Sequence, residues 1–142
     1  MSQATQTVKI PADRKVEIRT YSNAQFKQKV TFTCKKTGSP DQVWEVTGSG
    51  QDNAPLTNKE ITDGIKKLDA DTAERTLDVT IKHQPDPNAE EWPDSDTYLT
   101  SSTMGLLKTR AILSEDMAGH PDCDNDLNDA VVLVSWWEPP QE

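Results

Sequence analysis

Apolar and polar residues alternate with period two along most of this 142-residue chain, and no other feature restricts its fold as much. Val8 and Ile10 open a short run closed by Pro11-Ala12-Asp13. Val16 and Ile18 alternate with Glu17 and Arg19 until Ser22-Asn23, and Val30, Phe32 and Cys34 alternate with Thr31 and Thr33. Trp44 and Val46 follow a Gly38-Ser39-Pro40-Asp41 turn, and Leu77, Val79 and Ile81 repeat the rhythm. Side chains of a strand point to opposite faces in turn, so each run predicts a strand with one face on a core.

Residues 83–96, rich in Pro and acids, read as a loop, and Leu106 to Leu113 as another strand. The continuous apolar run Ala130–Trp136 predicts a strand covered on both faces. Only Asn58–Leu68 carries a helical spacing, Ile61, Ile65 and Leu68 at i, i+4 and i+7, and Asp63-Gly64 interrupts it. Many short strands with regular turns predict an all-β fold, an antiparallel β-sandwich of Greek-key or jelly-roll type. The length fits one domain, residues 1–142.

The net charge of −9 argues against nucleic-acid phosphate or an anionic membrane surface as a partner. No stretch of about 18 apolar residues exists, which speaks against membrane insertion. The first residues, Met1 to Thr7, are polar and do not form a signal peptide, so cytoplasm and leaderless export both stay open. Cys34 and Cys123 make no disulfide framework and read as two separate thiols.

Much of the negative charge sits in one place. Ser114–Asp129 contains six carboxylates and no Lys or Arg, and the apolar run begins directly after it. Such crowding is tolerated when a cation neutralises it. Oxygen ligands in excess, with no His–Cys cluster, point to calcium. Asp122-x-Asp124-x-Asp126 matches the opening of an EF-hand loop, but Leu127 replaces its turn glycine and Leu133 its bidentate Glu. The flanks are also strand-like. The pattern therefore argues against an EF-hand.

Ser114-Glu115-Asp116, then Asp124-Asn125-Asp126-Leu127-Asn128-Asp129-Ala130-Val131-Val132 and Trp136, resembles the signature of the LecB-like two-calcium bacterial lectins, which bind mannose and fucose. Ile10-Pro11-Ala12 and Tyr21-Ser22-Asn23-Ala24 resemble the family's early strand and its calcium-binding Asn. The resemblance implies a β-sandwich, a homodimer or higher homo-oligomer, and two adjacent calcium ions whose coordination is completed by sugar hydroxyls. It implies that Glu115 and Asp124 serve one ion, that Asp126 and Asp129 bridge both, and that Asn23 and Asn128 belong to the second. Asp116 would accept hydrogen bonds from the sugar, with Ala24 and Gln25 at its rim. Relatives with Ala at the position of Ala24 prefer mannose, so mannose-type glycans are expected over fucose.

Three departures from the family pattern matter. The link Met117–Cys123 is longer, so Asp122 is an alternative ligand to Asp124 and His120 a candidate to overhang the sugar. Leu127 stands in place of a Tyr. Family chains end in a Gly whose carboxylate reaches a neighbouring subunit's calcium, whereas this chain continues as Trp137-Glu138-Pro139-Pro140-Gln141-Glu142. Either Glu138 or Glu142 substitutes, or the second ion binds more weakly, or the dimer differs.

Among other residues, Trp136 reads as packing, and packing is also favoured over sugar stacking for Trp92 and Trp137. His83 and His120 have no nucleophile motif beside them, so a hydrolytic triad is unsupported. Two rival readings are a structural or adhesive β-sandwich whose calcium only rigidifies a loop, and a glycan-active enzyme with paired carboxylates. The crowding of the acids into one loop speaks against the second. The sequence thus predicts a non-enzymatic, calcium-dependent lectin.

Overall fold

The computed structural model describes residues 5–85, 88–115 and 129–139. Among the described residues eight strands are formed: β1 (Thr5–Ile10), β2 (Val16–Lys35), β3 (Gln42–Pro55), β4 (Ile65–Leu68), β5 (Arg75–His83), β6 (Asp96–Met104), β7 (Leu107–Glu115) and β8 (Ala130–Trp137). All pairings are antiparallel, in the order β1-β5-β2-β8-β7-β6, with β3 and β4 also on β2. Gln6 of β1 donates from Nε2 to the carbonyl and hydroxyl oxygens of Thr97 on β6, at 3.2 and 3.1 Å. These bonds join the two ends of the sheet, which is therefore nearly closed on itself.

The alternation seen in the sequence becomes the core. Val8, Ile10, Leu77, Val79, Ile81, Val30 and Phe32 face inward from one side, and Ile18, Ile112, Val132, Val134 and Trp136 from the other. Leu77, Val79 and Ile81 are fully buried while Asp78, Thr80 and Lys82 between them are not. Phe32 stacks on Trp44 at a centroid distance of 5.1 Å, an aromatic pair across β2 and β3.

Three expectations need correction. The chain does not leave its strand at Ser22-Asn23: β2 runs on through Lys35, bending at register shifts between Ser22, Ala24 and Gln28. Such bulges add a residue and turn a strand without ending it. Its first half lies between β4 and β8 and its second between β3 and β5. The spacing in Asn58–Leu68 makes no helix. Asn58 Oδ1 accepts from Glu60 N and Ile61 N, Asp63 Oδ1 accepts from Ile65 N, and Ile65–Leu68 pairs with β2. Local side-chain bonds of this kind compete with helix formation.

β6 lies in a segment where the alternation gives no strand, because its residues from Leu99 onward are exposed and largely Ser and Thr. It forms through the two-residue Gly105-Leu106 turn, which registers Met104 against Leu107. Finally, β8 is buried on one face only: Ala130, Val132, Val134 and Trp136 are buried, Val131, Leu133 and Ser135 are half-buried, and Trp137 is exposed.

Gly64 and Gly105 both have positive φ, +78° and +60°. A Cβ on Gly64 would meet the Thr20 carbonyl oxygen at 2.8 Å, and that backbone is fixed by the Thr20 N–Gly64 O bond of 2.9 Å. A Cβ on Gly105 meets nothing within 4 Å. Gly105→Ala should therefore cost about 1–2 kcal/mol, from φ alone. Gly64→Ala should cost about 3 kcal/mol or more, because overpacking adds to the same strain. Urea unfolding of the two variants checks this, and equal losses would contradict the packing around Gly64.

Candidate functional site

β7 leads into the acidic segment and β8 leads out of it, and the structure fixes how the two ends meet. Ser114 Oγ donates to the Ala130 carbonyl at 2.8 Å and accepts from the Ala130 amide at 2.9 Å. The Asp129 amide donates to the Ser114 carbonyl at 3.2 Å. Ser114 is fully buried, so this clamp operates away from water, where such bonds are most costly to lose. The result fixes the backbone from which Glu115 enters the segment and Asp129 leaves it.

Both carboxylate residues are withdrawn from solvent, Glu115 to 3% and Asp129 to 7% exposure. Asp96 stands directly across from Glu115 in the β6–β7 register, so a third carboxylate residue belongs to the same row. Burying acids costs free energy unless hydrogen bonds or a cation compensate.

The third strand to arrive is β2, at its bend. The Asn23 amide donates to the Asp129 carbonyl at 3.0 Å, which brings residues far apart in sequence into one site. The Asn23 side chain is held in turn by Asn53: Asn53 N donates to Asn23 Oδ1 and Asn23 Nδ2 donates to Asn53 Oδ1, each at 2.8 Å. Asp52 and Asn53 take φ of +62° and +58°, a region that Asn and Asp adopt more readily than most residues. An amide oxygen carries two lone pairs, so Asn23 Oδ1 retains capacity for a second partner.

His83 ends β5 on the same side. Its Nδ1 lies 2.9 Å from Ser95 Oγ. Burial lowers its affinity for a proton below the ordinary range, while the charges of Asp129 and Asp94 oppose that shift. Sequence reasoning left His83 as a lone histidine; the structure places it beside the acidic site.

Of the residues expected to form the site, Asn23, Ala24, Gln25, Glu115 and Asp129 are described, and Asn23, Glu115 and Asp129 converge. Asp116, His120, Asp122, Asp124, Asp126 and Asn128 lie outside the described residues, as do Cys123 and Glu142. Ala24 is only 4% exposed, so its methyl group packs inward, whereas Gln25 is exposed. Among the described residues alone, no three His, Cys, Asp or Glu side chains form a cluster able to hold a metal. The chemistry of Asn23, Glu115 and Asp129, all oxygen donors at one mouth, fits calcium.

Asn53 and Asp96 carry no role in the sequence pattern, and Ser114 enters it only as part of the Ser114-Glu115-Asp116 motif. Their usable signals are the tandem Asp52-Asn53, suited to tight turns, and the Ser directly before Glu115-Asp116. Glu138, one candidate to replace the missing terminal carboxylate, is engaged within its own chain. Arg14 Nε donates to its Oε2 at 3.0 Å and Trp136 Nε1 to its Oε1 at 3.2 Å, and Arg14 holds its carboxyl below the usual range. Trp136 is core, 2% exposed, and Lys29 Nζ sits 4.3 Å above the Trp92 ring. Cys34 is a buried free thiol.

The family model described as fucose-binding lectin II (PA-IIL) matches residues 8–138. Among solved structures, the chain is similar to the Chromobacterium violaceum lectin CV2L in complex with α-methyl-fucoside, with 18% identity and a TM-score of 0.58 over 96% of this chain and 98% of that one. It is similar to the Ralstonia solanacearum high-affinity mannose-binding lectin, with 20% identity and a TM-score of 0.58 over 96% and 98%. It is also similar to the C-terminal domain of the BC2L-C lectin from Burkholderia cenocepacia, with 20% identity and a TM-score of 0.54 over 98% and 100%. At these identities the likeness shows the fold. No curated protein matches the chain.

Proposed function

The chain belongs to the fucose-binding lectin II (PA-IIL) family, and on that premise we propose that it is a non-enzymatic, calcium-dependent carbohydrate-binding domain spanning residues 1–142. The observation that carries this reading is the bond from the Asn23 amide to the Asp129 carbonyl, beside the Ser114 clamp. It joins the early motif to the two ends of the acidic segment, as a shared binding site requires.

The proposed ligands of two calcium ions are Asn23, Glu115, Asp124, Asp126, Asn128 and Asp129, with Asp122 as the alternative to Asp124. Bound there, calcium would offer coordination positions that vicinal sugar hydroxyls can fill in place of water. The chain's own residues do the rest. The Ser114–Ala130 clamp holds the two ends of the segment at a fixed separation. Asn53 sets the angle of the Asn23 amide group. Asp116 accepts hydrogen bonds from the sugar, and Gln25, exposed beside buried Ala24, lines the rim.

Mannose- or fucose-containing glycans are the proposed ligands, a choice supported by the fucoside and mannose named for the two lectins of similar fold. Ala24 offers no hydroxyl to reward fucose, which favours mannose-type sugars. Asp126→Ala and Asp129→Ala should each abolish binding, because a bridging carboxylate serves both ions. Asn23→Ala should weaken binding by about tenfold, on the order of 1.4 kcal/mol, for the loss of one neutral ligand. Isothermal titration with methyl mannoside and methyl fucoside in calcium measures this. Wild-type affinity in Asp126→Ala would rule out the bridging role, and a tighter fucoside would remove Ala24 as the determinant. Calcium that raises the melting temperature while no sugar binds would favour the loop-rigidifying alternative.

We further propose that the chain forms a homodimer or higher homo-oligomer through the outer face of β8. Its outer face carries Val131, Leu133 and Trp137 beside Ser135, and is half-covered or exposed in the single chain. The register continues that face through Tyr21, Leu113, Ala111 and Leu107 on the neighbouring strands, with Arg19, Glu17 and Thr109 interspersed. A second copy would complete the burial. Leu133→Glu should convert the oligomer to monomer in light scattering, and an unchanged mass would contradict the assignment of this face.

A further inference from the structure

A polar cavity lies where β1 ends, β5 begins and β2 ends. Its volume is about 480 Å³, and Lys9, Lys35, Lys36, Glu74 and Arg75 line it. Arg75 opens β5, and the nine-residue strand runs from there to His83 beside Asp129. At about 3.4 Å per residue, the cavity is thus roughly 27 Å from the acidic site.

Four cations around one cavity are unexpected in a chain of net charge −9. Lys9, Thr76 and Lys35 stand in one row across β1, β5 and β2, so two ammonium groups flank one threonine across adjacent strands. Lys35 is paired with Asp78 at 3.0 Å and Lys36 with Asp71 at 2.9 Å. Lys9 and Arg75 form no ion pair among the described residues.

Arg75 is the decisive group. It is only 9% exposed, and among the described residues only its Nη2 has a hydrogen-bond partner, the Arg14 carbonyl at 3.2 Å. Nε is buried with no acceptor. Asp71 feels the charge of Arg75, yet its oxygens are taken by the Lys36 ammonium at 2.9 Å and the Ala73 amide at 3.0 Å. A guanidinium so far out of water without a carboxylate costs several kcal/mol. An oxyanion in the adjoining cavity offsets that cost, and the planar guanidinium is the group best suited to carboxylate or phosphate oxygens.

The cavity exceeds what a bare oxyanion needs. Glu74, an exposed carboxylate with no ion pair among the described residues, adds an acceptor for hydroxyl groups. Buried Arg75 pairs with Ile10 and exposed Lys9 with Thr76, so the two leave opposite faces of the sheet at its end and border the cavity from different directions, and a ligand carrying both an anionic group and hydroxyls can meet these two cations and Glu74. We propose that this cavity binds an anionic saccharide, a sugar bearing a phosphate, sulfate or carboxylate, and that it does so independently of the acidic loop.

Isothermal titration of the full chain, stripped of calcium with a chelator and then dialysed free of it, tests this, since removal of calcium silences the proposed loop site and leaves this one intact. Glucose 6-phosphate, glucose 6-sulfate, glucuronate, glucose and inorganic phosphate are the probes. At least one of the three anionic sugars should bind one-to-one, glucose should not, and affinity should fall as salt is added. The three arms identify which anion is preferred. Lys9→Glu, at an exposed position, should weaken binding by about tenfold or more with an unchanged melting temperature, and Arg75→Gln should abolish it. Failure of all three anionic sugars to bind would overturn the proposal. So would full affinity in Lys9→Glu, or inorganic phosphate binding as tightly as glucose 6-phosphate.

Discussion

β2 hydrogen-bonds along its length to β3, β4, β5 and β8, and the position of nearly everything else follows from that one strand. Its two halves belong to opposite sides of the core, Ile18 on one and Val30 and Phe32 on the other. A strand of 20 residues can serve both sides only if it bends, and it bends at Asn23–Lys27 through register shifts. The bend exposes Asn23 at the point where β7 and β8 open into the acidic segment. Architecture and site are thus set by the same irregularity.

The acidic segment is anchored before any ion is considered. Ser114 satisfies both backbone groups of Ala130, and the Asp129 backbone bonds to both Ser114 and Asn23. These contacts fix the places from which Glu115 and Asp129 leave the fold, and they do so inside a buried corner. Pre-setting ligand positions in this way lowers the ordering cost of binding, which is how a rigid sheet supports a loop site. Asn53 extends the same support outward to Asn23.

Much of this was legible from residue order. The alternations Leu77-Val79-Ile81 and Val30-Phe32-Cys34 became inward faces, since a period of two leaves little choice where one face is buried. The acid run before Ala130 located the candidate site. What escaped depended on contacts distant in sequence or on local hydrogen bonding. β6 has no apolar alternation beyond Thr97, and its pairing comes from the Gly105-Leu106 turn. Asn58 and Asp63 turned a helical spacing into loop and strand by bonding their own backbone. Ser22-Asn23 reads as a chain stop locally, yet pairing with β8 and β3 carries the strand through. The roles of Asn53 and His83 arise from strands that meet only in the folded chain.

The central claim is that sugar is held through calcium in the acidic segment. A glycan array probed with the full chain in calcium and repeated in EDTA tests it most directly. The account predicts binding to mannose- or fucose-bearing glycans that disappears in EDTA and returns when calcium is restored. Binding to those glycans that persists undiminished in EDTA, or no glycan bound in calcium, would contradict it.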